Sequence, residues 1–151
     1  MSDNTGRMGR DMYFMQIAIL CSKRSTCSRR QVGCVLVDQH NHIVATGYNG
    51  VPRNFPHCIN DVPCPGAKAE SGKDLDKCLA VHAEANAILQ CGNLNQPLTL
   101  YTTTYPCIHC AKLIANTGIQ EVIFIDSYQS ENESIETIFA VAGIITNHFN
   151  K

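Results

Sequence analysis

Two short clusters set the strongest limit on how this chain can fold. His82-Ala83-Glu84 and Pro106-Cys107-Ile108-His109-Cys110 each stand at the start of a segment of helical composition. Alone, each is ambiguous: a Cys-x-x-Cys serves as a redox pair, half of a zinc site or two core residues, and a lone histidine is more often a satisfied core residue than a ligand. Together they specify more. Cys107 and Cys110 are three apart, so on a helix they face the same way and reach one ion. The amino end of that helix also favours thiolates, the form that binds metal. One imidazole and two sulfurs make three protein ligands, which leaves the fourth tetrahedral position for water and marks a catalytic site. Glu84, two residues from His82, points away from the histidine and suits the water better than the ion.

The chemistry accounts for the residue types. Zinc lowers the pKa of its water toward neutrality, and an unligated carboxylate moves the proton from that water to a ring nitrogen and then to departing ammonia. Histidine-x-glutamate followed by proline-cysteine-x-x-cysteine is the signature of the zinc nucleobase deaminases.

Nine cysteines in 151 residues call for either disulfides or metal, and an odd number spoils complete pairing. Residues 1–10 lack an apolar stretch ending in a cleavage site, so the expectation is a reducing, cytoplasmic setting, whether bacterial or that of an infected host cell. Cys21, Cys34 and Cys91 fit the bland role of small buried hydrophobes. The length is that of one domain, 1–151, with residues 1–9 expected to be flexible. The net charge of 12 − 13 = −1 disfavours a polynucleotide partner, and no apolar run is long enough to span a membrane.

Along the chain, residues 11–21 are apolar on nearly every side, the pattern of a helix buried by its neighbours. A basic loop follows, then a hairpin of strands 32–37 and 43–46. Residues 47–77 hold four of the six prolines and form an irregular stretch that something must hold in place. Helix 79–90, strand 98–103, helix 107–116, strand 122–125, helix 131–142 and strand 144–146 complete the alternation, which predicts an α/β layered domain with parallel pairing in its second half.

Four stretches carry a closer resemblance: residues 25–33 (STCSRRQVG), Gly47-Tyr48-Asn49-Gly50, residues 82–88 (HAEANAI) and residues 106–112 (PCIHCAK). In them the chain closely resembles the deoxycytidylate deaminases of the cytidine-deaminase-like superfamily, over almost its whole length. The resemblance implies a three-layer α/β/α fold around a five-stranded mixed sheet, deamination of dCMP to dUMP for thymidylate supply, and assembly as a homo-hexamer. It further implies activation by dCTP and inhibition by dTTP near Gly47, Tyr48, Asn49 and Gly50, with Mg2+ accompanying the triphosphate. By the same carry-over Asn49 contacts the substrate sugar, Ala83 lines the substrate site and Tyr128 lies near the nucleotide phosphate. Of the dense basic cluster Lys23, Arg24, Arg29 and Arg30, Arg24 is the expected phosphate contact, and Lys23 and Arg30 read as solvated surface.

Cys27, Cys58, Cys64 and Cys78 remain, and four thiolates close one structural zinc site. Some deoxycytidylate deaminases resemble this chain in carrying such a second zinc, although some use histidines where the insertion at 51–78 offers Cys64 and Cys78; His57 could replace one of them. The physical case is separate: a proline-rich segment with little apolar content needs a crosslink to offset its chain entropy, the alternative being a mobile loop with unpaired cysteines. Competing functions are a dCTP or dual dCMP/dCTP deaminase, a nucleoside or RNA base deaminase, and a non-catalytic zinc module, against which Glu84 counts because a closed site needs no general acid.

Overall fold

The computed structural model of the chain describes residues 6–58, 66, 70, 77–127 and 133–150. Strand β1 (Gly33–Asp38) is buried along its whole length because its two faces meet different partners. Cys34 and Leu36 enter one apolar cluster, and Val35 and Val37 enter another. Such a strand must lie inside a sheet covered on both sides. It pairs antiparallel with β2 (Ile43–Tyr48) on one edge and with β3 (Pro97–Thr104) on the other. The hairpin turn is held by Asp38, whose Oδ1 accepts the backbone N–H groups of His40 and His42, with Asn41 in the left-handed region at φ 63°. Beyond β3, strands β4 (Glu121–Asp126) and β5 (Ile145–His148) add in parallel, giving the order β2-β1-β3-β4-β5.

The helices divide between the faces. Helix α1 (Arg10–Ser22) lays Phe14, Met15 and Ala18 on Val35, Val37, Tyr101 and Ile123. On the opposite face, α2 (Ala83–Gln90), α3 (Ile108–Ile114) and α4 (Glu133–Ala142) contribute Ala83, Ala87, Cys110, Ala111, Ile114, Ile135 and Phe139 to the larger cluster. The fold is the three-layer α/β/α arrangement with a five-stranded mixed sheet. Among the described residues no helix is long and apolar enough to cross a membrane.

Three expectations need correction. Helix α1 is not buried all round: Tyr13 and Leu20 are 50% and 70% exposed, because α1 is itself the outer layer on its face. The helix expected over 79–90 begins at Ala83. Val81 forms a two-way backbone bridge with Gly50, at 2.8 and 3.1 Å, so its polar groups are satisfied sideways and the chain stays extended to His82. The helix expected over 107–116 likewise runs only Ile108–Ile114. Cys64, Tyr128 and most of the insertion at 51–78 lie outside the described residues.

Candidate active site

The carboxyl ends of β3 and β4 and the amino ends of α2 and α3 share one end of the sheet. His82 is the N-cap of α2 and Cys107 the N-cap of α3, both with extended backbones. They therefore sit just before their helices and not on them, which corrects the same-face argument for Cys107 and Cys110. An N-cap side chain reaches back over the first turn, so Cys107 still meets Cys110 at the third helical position.

His82 Nδ1 lies 3.3 Å from Cys107 Sγ and 3.5 Å from Cys110 Sγ. A tetrahedral zinc with sulfur at about 2.3 Å and nitrogen at about 2.0–2.1 Å would put those atoms roughly 3.5 Å apart. The donor set and its spacing fit that ion. Among the described residues it is the only group of three His, Cys, Asp or Glu side chains with ligand atoms within 4.8 Å of one another. Among the described residues Cys27, Cys58 and Cys78 make no such group, and Cys64 lies outside them.

Electrostatics within the cluster run the same way. The Cys107 thiol is brought down to about 3, first by the thiol of Cys110, then by His82 and the Cys110 backbone, all acting against burial. Cys110 moves up, since the pair shares a proton and is buried. The hydrogen bond shared with Cys107 raises His82, and burial partly offsets this. The cluster thus favours the thiolate at Cys107 over that at Cys110, and a dication would favour the second deprotonation.

Glu84, in the first turn of α2, is 4% exposed, and Cys110 Sγ donates to its Oε2 at 3.6 Å. Burial pushes its carboxyl above the usual carboxylate range. An acid in that state, beside a three-ligand metal cluster, is placed to exchange protons.

The segment Gly47-Tyr48-Asn49-Gly50 is locked to α2. A Cβ on Gly47 would collide with the Ala83 carbonyl and the Ala87 amide, so only glycine lets β2 lie this close to the helix. Asn86 Nδ2 donates to the Tyr48 carbonyl at 2.8 Å, and Gly50 pairs with Val81 beside His82. Ala83 is completely buried with its carbonyl against Gly47.

Asn49 faces the other way. Its Oδ1 accepts the Val32 N–H at 2.8 Å, its Nδ2 donates to the Arg30 carbonyl at 2.8 Å, and Ser25 Oγ donates to its carbonyl at 2.8 Å. At most one N–H of the amide is left for a ligand. Sequence reasoning did not single out Ser25 or Asn86, although both lie in matched stretches; with no partner visible in the chain, neither carried a signal of its own.

The basic cluster disperses. Arg24 and Lys23 are exposed in the turn after α1, Arg29 Nη2 donates to the Glu70 carbonyl at 2.9 Å, and Arg30 Nη2 sits 3.6 Å from Asp126 Oδ2.

Residues 8–126 match the model of the cytidine and deoxycytidylate deaminase zinc-binding region. A deoxycytidylate deaminase of Saccharomyces cerevisiae is 42% identical over 142 residues, which is 93% of this chain and 45% of that protein. A human deoxycytidylate deaminase is 37% identical over 91% of this chain and 78% of its own length. The chain thus spans less than half of the fungal relative. Among solved structures, the dCMP deaminase of the cyanophage S-TIM5, in complex with dCMP and dUMP, superposes with a TM-score of 0.70 at 25% identity, covering 91% of this chain and 94% of that one. With a family match spanning most of its length and a His-Cys-Cys cluster of zinc spacing at its centre, the chain belongs to the cytidine and deoxycytidylate deaminase family.

Proposed function

We propose that this chain is a zinc-dependent hydrolase that converts dCMP and water to dUMP and ammonia. The observation that carries the reading is the Glu84 carboxylate, buried and 3.6 Å from a sulfur of the His82-Cys107-Cys110 cluster. The choice of dCMP is supported by relatives named deoxycytidylate deaminase and by the cyanophage enzyme in complex with dCMP and dUMP.

His82 Nδ1 and the sulfurs of Cys107 and Cys110 would hold the zinc. When bound, the ion supplies the Lewis acidity that makes a water nucleophilic near neutral pH. Glu84 Oε2 accepts a proton from the attacking water as the C–O bond forms at the ring carbon bearing the amino group. It passes that proton to the ring nitrogen, then takes the second proton from the hydroxyl now on the ring carbon and delivers it to the amine as that C–O bond becomes C=O and the C–N bond breaks, so ammonia leaves and the carboxylate is restored. Burial of Glu84 keeps bulk water from short-circuiting this transfer.

The finer features belong to the same reading. Control by dCTP and dTTP, with Mg2+, would act through residues 47–50, since that segment abuts the helix carrying Glu84. A structural zinc on Cys27, Cys58, Cys64 and Cys78 is supported by the composition of the insertion, and about two zinc ions per chain, against about one, would decide for it. Oligomer number is read by light scattering, with a hexamer expected.

The deciding experiment follows ammonia release from dCMP, dCTP, cytidine and deoxycytidine. Turnover of dCMP above the others supports the proposal. Preference for dCTP or the nucleosides moves the substrate, and no turnover by zinc-loaded protein on any of them would sink the enzyme.

A further inference from the structure

We propose that Asn86 is a positioning residue for the metal centre: its carboxamide closes a ring of hydrogen bonds that sets where His82 stands against Cys107 and Cys110. The proposal rests on the reading of those three residues as zinc ligands.

The first argument is what aims the His82 ring. Its Nδ1 faces the two sulfurs at 3.3 and 3.5 Å, and among the described residues no protein group bonds to its other nitrogen, Nε2. Metal-bound histidines are commonly oriented through that second nitrogen. Here the protein aims the ring through its backbone, which is extended at His82, with φ −69° and ψ 155°.

The second argument is the ring of bonds itself. Val81 and Gly50 exchange two backbone hydrogen bonds, at 2.8 and 3.1 Å, which fixes the chain as it enters His82. On the leaving side, the His82 carbonyl accepts the Asn86 N–H at 2.9 Å. The same Asn86 sends its Nδ2 to the Tyr48 carbonyl at 2.8 Å, two residues before Gly50. The path from Tyr48 through Gly50, Val81, His82 and Asn86 back to Tyr48 is therefore closed, and the Asn86 carboxamide is its one side-chain link. β2 is an edge strand with β1 on one side only, so its outward carbonyls have no strand partner. With Gly47 pressed on Ala83 and Ala87, the short arm of Asn86 reaches the next residue of that strand.

The third argument is that the sulfurs do not share this ring. The turn before Cys107 is held by the Tyr105 N–H on the Asp126 carbonyl at 2.6 Å, and the Cys107 carbonyl accepts the Ala111 N–H at 2.8 Å. Opening the ring at Asn86 leaves the sulfur pair in place and lets His82 drift against it.

Metal binding and cobalt spectroscopy test this without turnover. The ion at the cluster is the one missing from His82→Ala, and a cobalt(II) difference spectrum against that variant isolates its d–d and thiolate-to-metal bands. In Asn86→Ala the zinc dissociation constant, read by competition with a chromophoric chelator, should rise about tenfold, the low end for a group that orients a ligand, and the cobalt bands should shift or weaken. The kcat for dCMP should fall while KM stays within about twofold. Tyr101→Phe, which loses a hydrogen bond on the opposite face, is the control for lost stability and should leave all of these as in wild type. Lost stability in Asn86→Ala with wild-type zinc affinity and cobalt bands would make Asn86 a plain brace and overturn the proposal. So would a raised KM at unchanged kcat, the mark of a substrate contact, or an equal loss of zinc affinity in Tyr101→Phe. Wild type that holds no more metal than His82→Ala would instead overturn the zinc reading, and this proposal with it. Should no substrate turn over, zinc affinity and the cobalt bands decide by themselves. If Asn86→Ala does not fold, Asn86→Ser decides by the same criteria.

Discussion

Glu84 shows how much hangs on one side chain. It has a single short contact to the cluster, Cys110 Sγ to Oε2, and replacing it with glutamine keeps the shape and removes the proposed proton carrier. Glu84→Gln is expected to keep zinc at the wild-type stoichiometry by elemental analysis while kcat falls about 10²- to 10⁴-fold. Turnover within a few-fold of wild type would remove Glu84 from the mechanism. His82→Ala strips the only nitrogen ligand of the cluster. It should lower bound zinc by about one ion per chain and abolish activity, because two sulfurs alone do not complete a tetrahedral site. The grouping of His82, Cys107 and Cys110 and the candidate acid beside it could both be named from the chain, since His-x-Glu and Cys-x-x-Cys are short-range patterns. What the chain did not disclose at this scale was that His82 and Cys107 are caps, because a cap is defined by where the helix begins, and Val81 is drawn out of α2 by Gly50.

Among the elements, the critical contact is β2 against α2. Gly47→Ala must push the strand and helix apart, for the new Cβ meets backbone atoms of Ala83 and Ala87 that have nowhere to retreat. Overpacking of this kind costs roughly 1–3 kcal/mol, and here it also displaces the helix that carries Glu84. Denaturant melts should show that loss, with kcat reduced more than KM is raised. Gly92→Ala is the control: nothing lies within 4 Å of its Cβ position, so its stability should shift by less than about 0.5 kcal/mol. The strands and most helices were readable from alternation and apolar content, and the helix ends less so. The partner that demands glycine at 47 was not readable, since Ala83 and Ala87 lie 36 and 40 residues further on.

For the whole molecule, α1 is tied to the sheet by a hydrogen bond from Tyr101 to Asp11 Oδ1 at 2.8 Å. Burial, helped by Asp11, raises the Tyr101 hydroxyl well above the ordinary tyrosine value. A raised folded pKa contributes stability that is fully present below the unfolded value, near 10, and is lost as pH climbs from there toward the folded one. Thermal melts between about pH 8 and 11 should therefore show a falling midpoint, and Tyr101→Phe should lie about 1 kcal/mol lower at neutral pH but fall less steeply. Parallel curves would mean that Tyr101 does not titrate on unfolding. Removing the metal with a chelator should also lower the midpoint, since a ligand held by the native state alone stabilises it by mass action.

By itself the chain determined what depends on neighbours in sequence: the spacing of the histidine and the two cysteines, the carboxylate beside the histidine, the alternation of strands and helices and, through its motifs, the family. Tertiary structure alone decided what depends on which surfaces meet. Asn49 spends most of its amide on the loop from Ser25 to Val32, Arg29 turns to Glu70 and Arg30 to Asp126. A hydrogen bond or ion pair across 24, 41 or 96 residues leaves no periodic trace in the sequence, because its energy belongs to a meeting that only the folded sheet arranges.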